Sequence, residues 1–237
     1  MTAENFRQDL QKLSNPKNAF ELQRFFKTGP GQYGEGDIFW GIKVPITREL
    51  VKKYKKMPLD EIAKLTPDPV HEVRMAGGFL LVECYKQSDE IGKKACYDFY
   101  ISHAPCYNNW DLVDMTCHHI VGAWLLDKDR APLYKLAASD NLWEQRISII
   151  STFHLIRKED FNDCLELAKI LLNHKHDLIQ KAVGWMLREI GKRNPIVETE
   201  FLLEDMRYNK MPRTMLRYAI EKYPKTQRQA FLKGEMY

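Results

Sequence analysis

The chain has 237 residues, of which 44% are hydrophobic and 29% charged, so it can bury a core and is not a disordered chain. Its net charge of +4 is too small to prove a polyanionic partner, although residues 181–237 carry +5 and residues 1–180 carry −1. The longest apolar stretches, such as residues 79–82, are far shorter than the roughly 20 residues of a membrane span. We therefore expect a cytoplasmic protein.

The first quarter of the chain predicts helices separated by one glycine-rich loop. Phe6, Leu10 and Leu13 have helical spacing, residues 22–27 continue the helical pattern, and Thr47 precedes the next periodic segment as a candidate cap. The loop at residues 29–37, GPGQYGEGD, contains G-x-G-x-x-G. That fingerprint needs a strand before it and a helix after it, so we do not expect a dinucleotide site here.

The rest of the chain continues the helical pattern. Asn141 and Asp177 precede apolar periodic segments and can cap the free N–H groups of two helices. Nine prolines, from Pro45 to Pro224, separate the periodic segments. We therefore predict an all-α protein of about a dozen short helices.

A short pattern, a cation followed by an apolar and a small residue, recurs along the chain at Arg74, Arg146, Lys181 and Arg217. The intervals are 72, 35 and 36 residues, and Trp110 stands at the missing position between the first two. A period of about 36 is typical of stacked helical hairpins. We predict a single domain over residues 1–237, an α-solenoid of about six HEAT-like hairpins, with a generic helical bundle as the alternative.

The recurring positions have two interpretations. A row of cations on one concave surface is typical of a groove for a phosphate backbone, because each neutralised phosphate releases counterions. Alternatively, the same side chains are structural and hold helix ends by hydrogen bonds to backbone carbonyls. The sequence leaves both interpretations open.

Two helical segments carry residues suited to a cationic, planar ligand. Trp110 and Asp114 stand at i and i+4, and Trp185 and Arg188 stand at i and i+3, so each pair shares a helix face. Tryptophan faces and a carboxylate attract a planar cation by cation–π attraction and charge pairing. The structural alternative is that each tryptophan belongs to the core. The histidines and the five cysteines lack ligand spacing, so we expect no metal, no cofactor and no disulfide framework.

Three motifs together carry a family resemblance. Residues 110–114 (WDLVD), 139–146 (SDNLWEQR) and 179–189 (IQKAVGWMLRE) resemble the AlkC/AlkD family of DNA alkylation repair glycosylases, in order and at the family's repeat spacing. The resemblance implies a HEAT-like solenoid that grips duplex DNA. It also implies hydrolysis of the N-glycosidic bond of alkylated purines such as 3-methyladenine and 7-methylguanine.

The resemblance also implies roles for single residues. Trp110, Asp114 and Trp185 match the family's active-site tryptophans and its essential aspartate, and Arg146 matches an arginine at the DNA. We expect the following side chains to bind DNA: Arg146, Lys181, Arg188, Arg217, Lys43 and His154. The expected partner is duplex DNA with alkylated bases, bound by a monomer.

Some positions depart from the family pattern. Phe25 and Lys43 stand where the family has an active-site hydroxyl and an amide, and His154 stands where a lysine is expected. Residues 29–37 are expected to form a flexible loop that faces DNA or caps the array. These departures favour the alternative of a catalytically weak or inactive DNA-binding HEAT-repeat protein, and a protein-interaction scaffold is the third possibility. Retention of Asp114 favours the enzyme, because a carboxylate in the groove gives a DNA binder nothing.

Overall fold

The structure is a computed structural model that describes residues 1–236. Contacts divide the chain into two compact units, Met1–Thr116 and a second unit that begins at Cys117. The prediction of one domain over residues 1–237 stays a prediction. In the described part of the chain the regular structure is helical, and the one β-bridge pairs Ile38 with Val70. No helix within residues 1–236 is long and apolar enough to cross a membrane.

The first unit contains seven α-helices. They are α1 (Ala3–Gln11), α2 (Pro16–Phe25), α3 (Val44–Tyr54), α4 (Leu59–Leu65), α5 (His71–Gln87), α6 (Glu90–Ser102) and α7 (Trp110–Asp114). The central helix is α5, which packs against α3, α4, α6 and α7. Its residues 71–82 are all buried, because neighbours cover it on every side.

The second unit is a row of helical hairpins. Its helices are α8 (Cys117–Trp124), α9 (Ala131–Ala137), α10 (Leu142–Ile156), α11 (Asn162–Ile170), α12 (Asp177–Gly191), α13 (Pro195–Leu203), α14 (Arg207–Lys210), α15 (Arg213–Ala219) and α16 (Lys225–Lys233). Helices α8, α10, α12 and α15 pack in succession, and α9, α11 and α13 pack against them. The all-α, solenoid-like fold expected from the period is therefore confirmed.

The repeat phase read from the sequence matches the helices. Arg146, Lys181 and Arg217 are each the fifth residue of their helix, α10, α12 and α15. Arg74 is the fourth residue of α5, and Trp110 is the first residue of α7. The recurring pattern therefore marks the beginning of the second helix in successive hairpins.

Helix starts were predicted with mixed success. Asn141 caps α10 as expected, since its Oδ1 accepts from the N–H groups of Trp143 at 2.8 Å and Glu144 at 3.2 Å. Helix α12 begins at Asp177 itself, and His176 provides the cap. The prediction for Thr47 is wrong: α3 begins at Val44, and Thr47 is buried inside the helix. Pro45 lies in the first turn of α3, where its fixed φ suits a helix start.

One glycine sets how closely two helices of the second unit approach. A Cβ added to Gly184 on α12 would lie 2.4 Å from the carbonyl oxygen of Met215 on α15. Only a residue without a side chain allows this backbone contact. The close approach brings α15 against α12.

Candidate functional site

In the first unit, Trp110 and Asp114 are the first and last residues of the five-residue helix α7. The helix is capped by Asn109, whose Oδ1 accepts from the Trp110 N–H at 2.8 Å. Both predicted site residues are half-buried. The expectation that they share one helix is met, and the carboxylate stands one turn after the indole.

The Trp110 ring is the outer member of an aromatic group. Phe26 stacks on it, with ring centroids 5.3 Å apart and an interplanar angle of 19°, and Phe25 meets its edge at 5.9 Å. Phe39 stacks on the other side of the group, 5.1 Å from Phe26. Phe25 is 63% exposed, so it presents an apolar ring to water. The group presents two aromatic surfaces, those of Trp110 and Phe25.

Beneath the aromatic group lies a buried polar network. The His71 ring on α5 binds Asp37 through Nδ1 at 3.0 Å and Asp111 on α7 through Nε2 at 2.9 Å. Asp37 also accepts from Arg74, and from Asn109 Nδ2 at 3.2 Å. All five side chains are at least 90% buried. A buried charge is tolerated when it is paired and hydrogen-bonded, and here the network provides both.

The network changes the pKa values of its members. Burial lowers the pKa of His71, but Asp111 and Asp37 outweigh burial and raise it to about 9. Burial raises the pKa of Asp37, but His71, Arg74 and Asn109 outweigh it and hold that pKa below its ordinary value. At neutral pH the network therefore holds a protonated imidazole and an ionised Asp37.

A third buried carboxylate, Glu72 on α5, holds the chain that leads to Lys43. Glu72 accepts from the backbone N–H groups of Trp40 at 3.0 Å, Gly41 at 2.7 Å and Ile42 at 3.1 Å. Lys43 follows directly at the N-cap of α3, with an exposed side chain. Glu72 therefore fixes the backbone that leads to Lys43.

In the second unit, Trp185 is half-buried in the middle of α12. Its Nε1 donates to Glu189 Oε1 at 3.2 Å, and its ring lies 5.7 Å from Phe153 on α10. Burial raises the pKa of Glu189, but Lys192, Arg193 and Trp185 outweigh it, so that pKa lies below its ordinary value. The indole is thus anchored at its nitrogen by a carboxylate.

Two arginines that the sequence did not single out, Arg157 and Arg193, lie near the ring of Phe153. The guanidinium carbons of Arg157 and Arg193 lie 4.3 Å and 6.0 Å from the Phe153 ring centroid. His154 is half-buried beside them, and burial, Lys158 and Arg157 lower its pKa. The only sequence signal for these arginines is their place just after helices α10 and α12, where cations interact favourably with the helix C-terminus.

The other predicted DNA-binding residues have different environments. Arg146 is 4% exposed and donates to the backbone carbonyl of Leu178 on α12, and Arg74 donates to the carbonyl of Asp68 at 2.8 Å. These two residues therefore match the structural interpretation of the recurring cations, in which the side chains hydrogen-bond to backbone carbonyls. Lys181 pairs with Asp177 at 2.7 Å, Arg188 pairs with Glu221, and Arg217 is exposed on α15.

The network of His71, Asp37 and Asp111 was also missed by the sequence reasoning. Asp37 ends the glycine-rich loop, 34 residues before His71, and Asp111 lies 40 residues after it. No local spacing connects residues so far apart. Among residues 1–236, no group of three or more histidine, cysteine, aspartate or glutamate side chains could hold a metal ion.

Comparisons with known proteins found one family model and a solved structure that match this chain. A family model described as "DNA alkylation repair enzyme" matches residues 6–223. A solved chain described as a predicted DNA alkylation repair enzyme from Enterococcus faecalis aligns with a TM-score of 0.68 and 19% identity, over 90% of this chain and 97% of that chain. At that identity the likeness shows a shared fold. No curated protein matches the chain.

Proposed function

The chain belongs to the DNA alkylation repair enzyme family, and on this premise we propose that it is a DNA N-glycosylase. Its proposed substrates are alkylated, cationic purines such as 3-methyladenine and 7-methylguanine in duplex DNA. The resemblance stated from the three sequence motifs is confirmed at the level of the family. The observation that carries the proposal is the placement of Trp110 and Asp114 on one helical turn, with the indole half-buried against Phe26.

The proposed chemistry follows from the charge of the lesion. A purine alkylated at N3 or N7 is already a cation, so it leaves the sugar without a general acid. Positive charge then develops on the deoxyribose, and a carboxylate placed in advance stabilises it. We assign this role to Asp114, which also orients the attacking water. We assign to Trp110 and, within the second unit, to Trp185 the role of offering a ring face that attracts a cation.

Phosphate contacts are assigned to cations that water can reach. Arg217, Lys43 and Arg157 are exposed, and the ring of Phe153 holds Arg157 in place. Arg188, Lys181 and His154 are half-buried and complete the proposed DNA contacts. Arg146 is assigned to the fold, because its guanidinium is buried against the start of α12. Backbone contacts of this kind position the protein on the duplex without reading sequence.

The test is the variant Asp114→Asn. It keeps the shape and removes the charge, so single-turnover release of methylated purine from alkylated duplex should fall roughly 100-fold or more. Duplex affinity should be retained or should rise, because the carboxylate repels phosphates. The melting temperature, measured on the same preparation, should be unchanged. Asp98→Asn, an exposed carboxylate on α6, provides the matched control.

Two outcomes contradict the proposal in different ways. If Asp114→Asn loses melting temperature and activity together, Asp114 is structural. If the unaltered protein binds alkylated duplex but releases no base, it is the catalytically weak DNA-binding protein that the Phe25 ring, which lacks a hydroxyl, favours.

A further inference from the structure

The glycine-rich loop ends in a buried charge. Asp37 is 7% exposed and closes the segment 29–37, whose last glycine, Gly36, has a φ of +86°. Gly34 packs against the chain behind it, where an added Cβ would lie 2.4 Å from the carbonyl oxygen of Phe26. The loop therefore folds back on the end of α2 and carries a carboxylate inside. Gly34 and Asp37 are therefore buried, whereas residues 30–32, 35 and 36 of the same loop are exposed.

Asp37 connects both sides of the segment that carries Trp110. Its Oδ2 accepts from Asn109, the residue before Trp110, and from His71, whose other nitrogen binds Asp111, the residue after Trp110. Its Oδ1 accepts from Arg74. The first turn of α7 is thus held from both flanks by one loop carboxylate and one histidine.

The aromatic contacts follow the same connection. The Phe26 ring, at the end of α2, lies 5.0 Å from the His71 ring and 5.3 Å from the Trp110 ring. Phe39, two residues after Asp37, stacks on His71 at 4.4 Å. A displacement of the loop would therefore shift the surface on which Trp110 rests as well as its backbone.

We propose that Asp37 and His71 are positioning residues for Trp110, so that the loop at residues 29–37 sets the orientation of the indole. A helix of five residues makes few internal hydrogen bonds and depends on its surroundings for a fixed geometry. Apolar residues of similar volume would satisfy stability alone, whereas directional ion pairs and hydrogen bonds fix the orientation of the groups that they join. The catalytic consequence rests on the function proposed above, but the structural consequence does not.

The experiment uses the full chain labelled with 5-fluorotryptophan and observed by fluorine NMR. The chain has five tryptophans, and Trp110→Phe assigns the resonance of interest. In Asp37→Asn and in His71→Gln, the Trp110 resonance should shift or broaden, while those of Trp124, Trp143 and Trp185 stay in place. Asn109→Ser, which keeps a helix cap and removes the donor to Asp37, should act in the same direction if the first two variants fold poorly.

The matched control is Glu72→Gln. Glu72 is an equally buried carboxylate on α5, next to His71, but it holds the backbone of Trp40, Gly41 and Ile42. This variant should move the Trp40 resonance and leave that of Trp110 unchanged. A general loosening of the unit would move both, and that result would overturn the assignment of a specific positioning role.

Base release provides the second measurement. The positioning variants should slow single-turnover release roughly 10- to 100-fold with duplex affinity within about twofold, as expected when a reacting geometry is misplaced. An unchanged Trp110 resonance in folded Asp37→Asn and Asn109→Ser proteins would refute the proposal. If Trp110→Phe leaves base release unchanged, the proposed function fails, while the NMR result still decides the positioning role.

Discussion

His71 and His118 are both buried, yet their surroundings move their pKa values in opposite directions. His71 faces Asp37 and Asp111, with Arg74 beyond Asp37, and its pKa is raised to about 9. No carboxylate is among the groups that shift the pKa of His118 on α8. Burial, His119, Arg157 and His154 lower that pKa to about 3. The first imidazole is therefore charged and the second neutral at pH 7.

This contrast predicts how stability depends on pH. The folded first unit binds more protons than the unfolded chain between pH 6.5 and 9, so its His71 contribution is complete below pH 6.5 and is lost as the pH rises to 9. The His118 contribution has the opposite sign: it is complete above pH 6.5 and is lost as the pH falls toward 3. Stability should be greatest near pH 6.5.

Thermal unfolding between pH 4 and 9, with hydrogen exchange of peptides from α5 and α8, measures both effects. His71→Gln should remove much of the alkaline loss, and His118→Gln much of the acidic loss. Identical pH profiles for the three proteins would contradict the prediction.

The sequence predicted which residues lie on helices better than it predicted what surrounds them. The sequence placed Trp110, Arg146 and Trp185 on helices, as the structure does, because periodicity is a local property. It could not show that Arg146 is buried against a carbonyl while Arg217 is exposed, since burial depends on what the next hairpin brings. The sequence could not identify the partners of Asp37 for the same reason, since they are 34 to 72 residues away along the chain.

At the scale of the helices, Gly184 gives a prediction in which two effects oppose each other. Alanine is about 1 kcal/mol better than glycine inside a helix, so propensity alone favours Gly184→Ala. The new methyl group would meet the backbone of Met215 at 2.4 Å, and α15 would have to move. We expect the clash to win and the free energy of unfolding to fall by about 1–3 kcal/mol, as measured by urea denaturation.

Gly77→Ala on α5 is the comparison for this variant. Its methyl group would meet the Leu65 side chain at 3.2 Å, so its effect should be smaller. A Gly184→Ala protein as stable as the unaltered one would show that α12 and α15 can separate without loss.

Helix boundaries show where local signals suffice. Asn141 was identified because its amide oxygen caps the helix within three residues. Thr47 looked equally good, but Pro45 can open a helix in its first turn, and α3 begins before the threonine. When two start signals lie two residues apart, as Pro45 and Thr47 do, sequence alone does not rank them.

At the scale of the whole molecule, binding to duplex DNA should be strongly salt-dependent. Each neutralised phosphate contributes about −0.9 to the slope of log affinity against log salt concentration. Arg217→Ala removes an exposed cation and should make that slope shallower by about 0.9, the contribution of one phosphate. Arg146→Met removes a buried cation and should lower stability without changing the slope. Filter binding of a duplex between 50 and 200 mM salt tests both, and a salt-independent affinity would exclude a phosphate groove.

The network around Trp110 also has a consequence for protein synthesis. Asp37 and Asn109 are separated by 72 residues, which a ribosome adds in roughly 4 to 14 s. In the second half of that interval, after residue 74 has been added, Asp37, His71 and Arg74 are present but Asn109 and Asp111 are not. The nascent chain must keep these charges hydrated until residue 111 has emerged. The first unit therefore closes late in its own translation, when its last polar partners arrive.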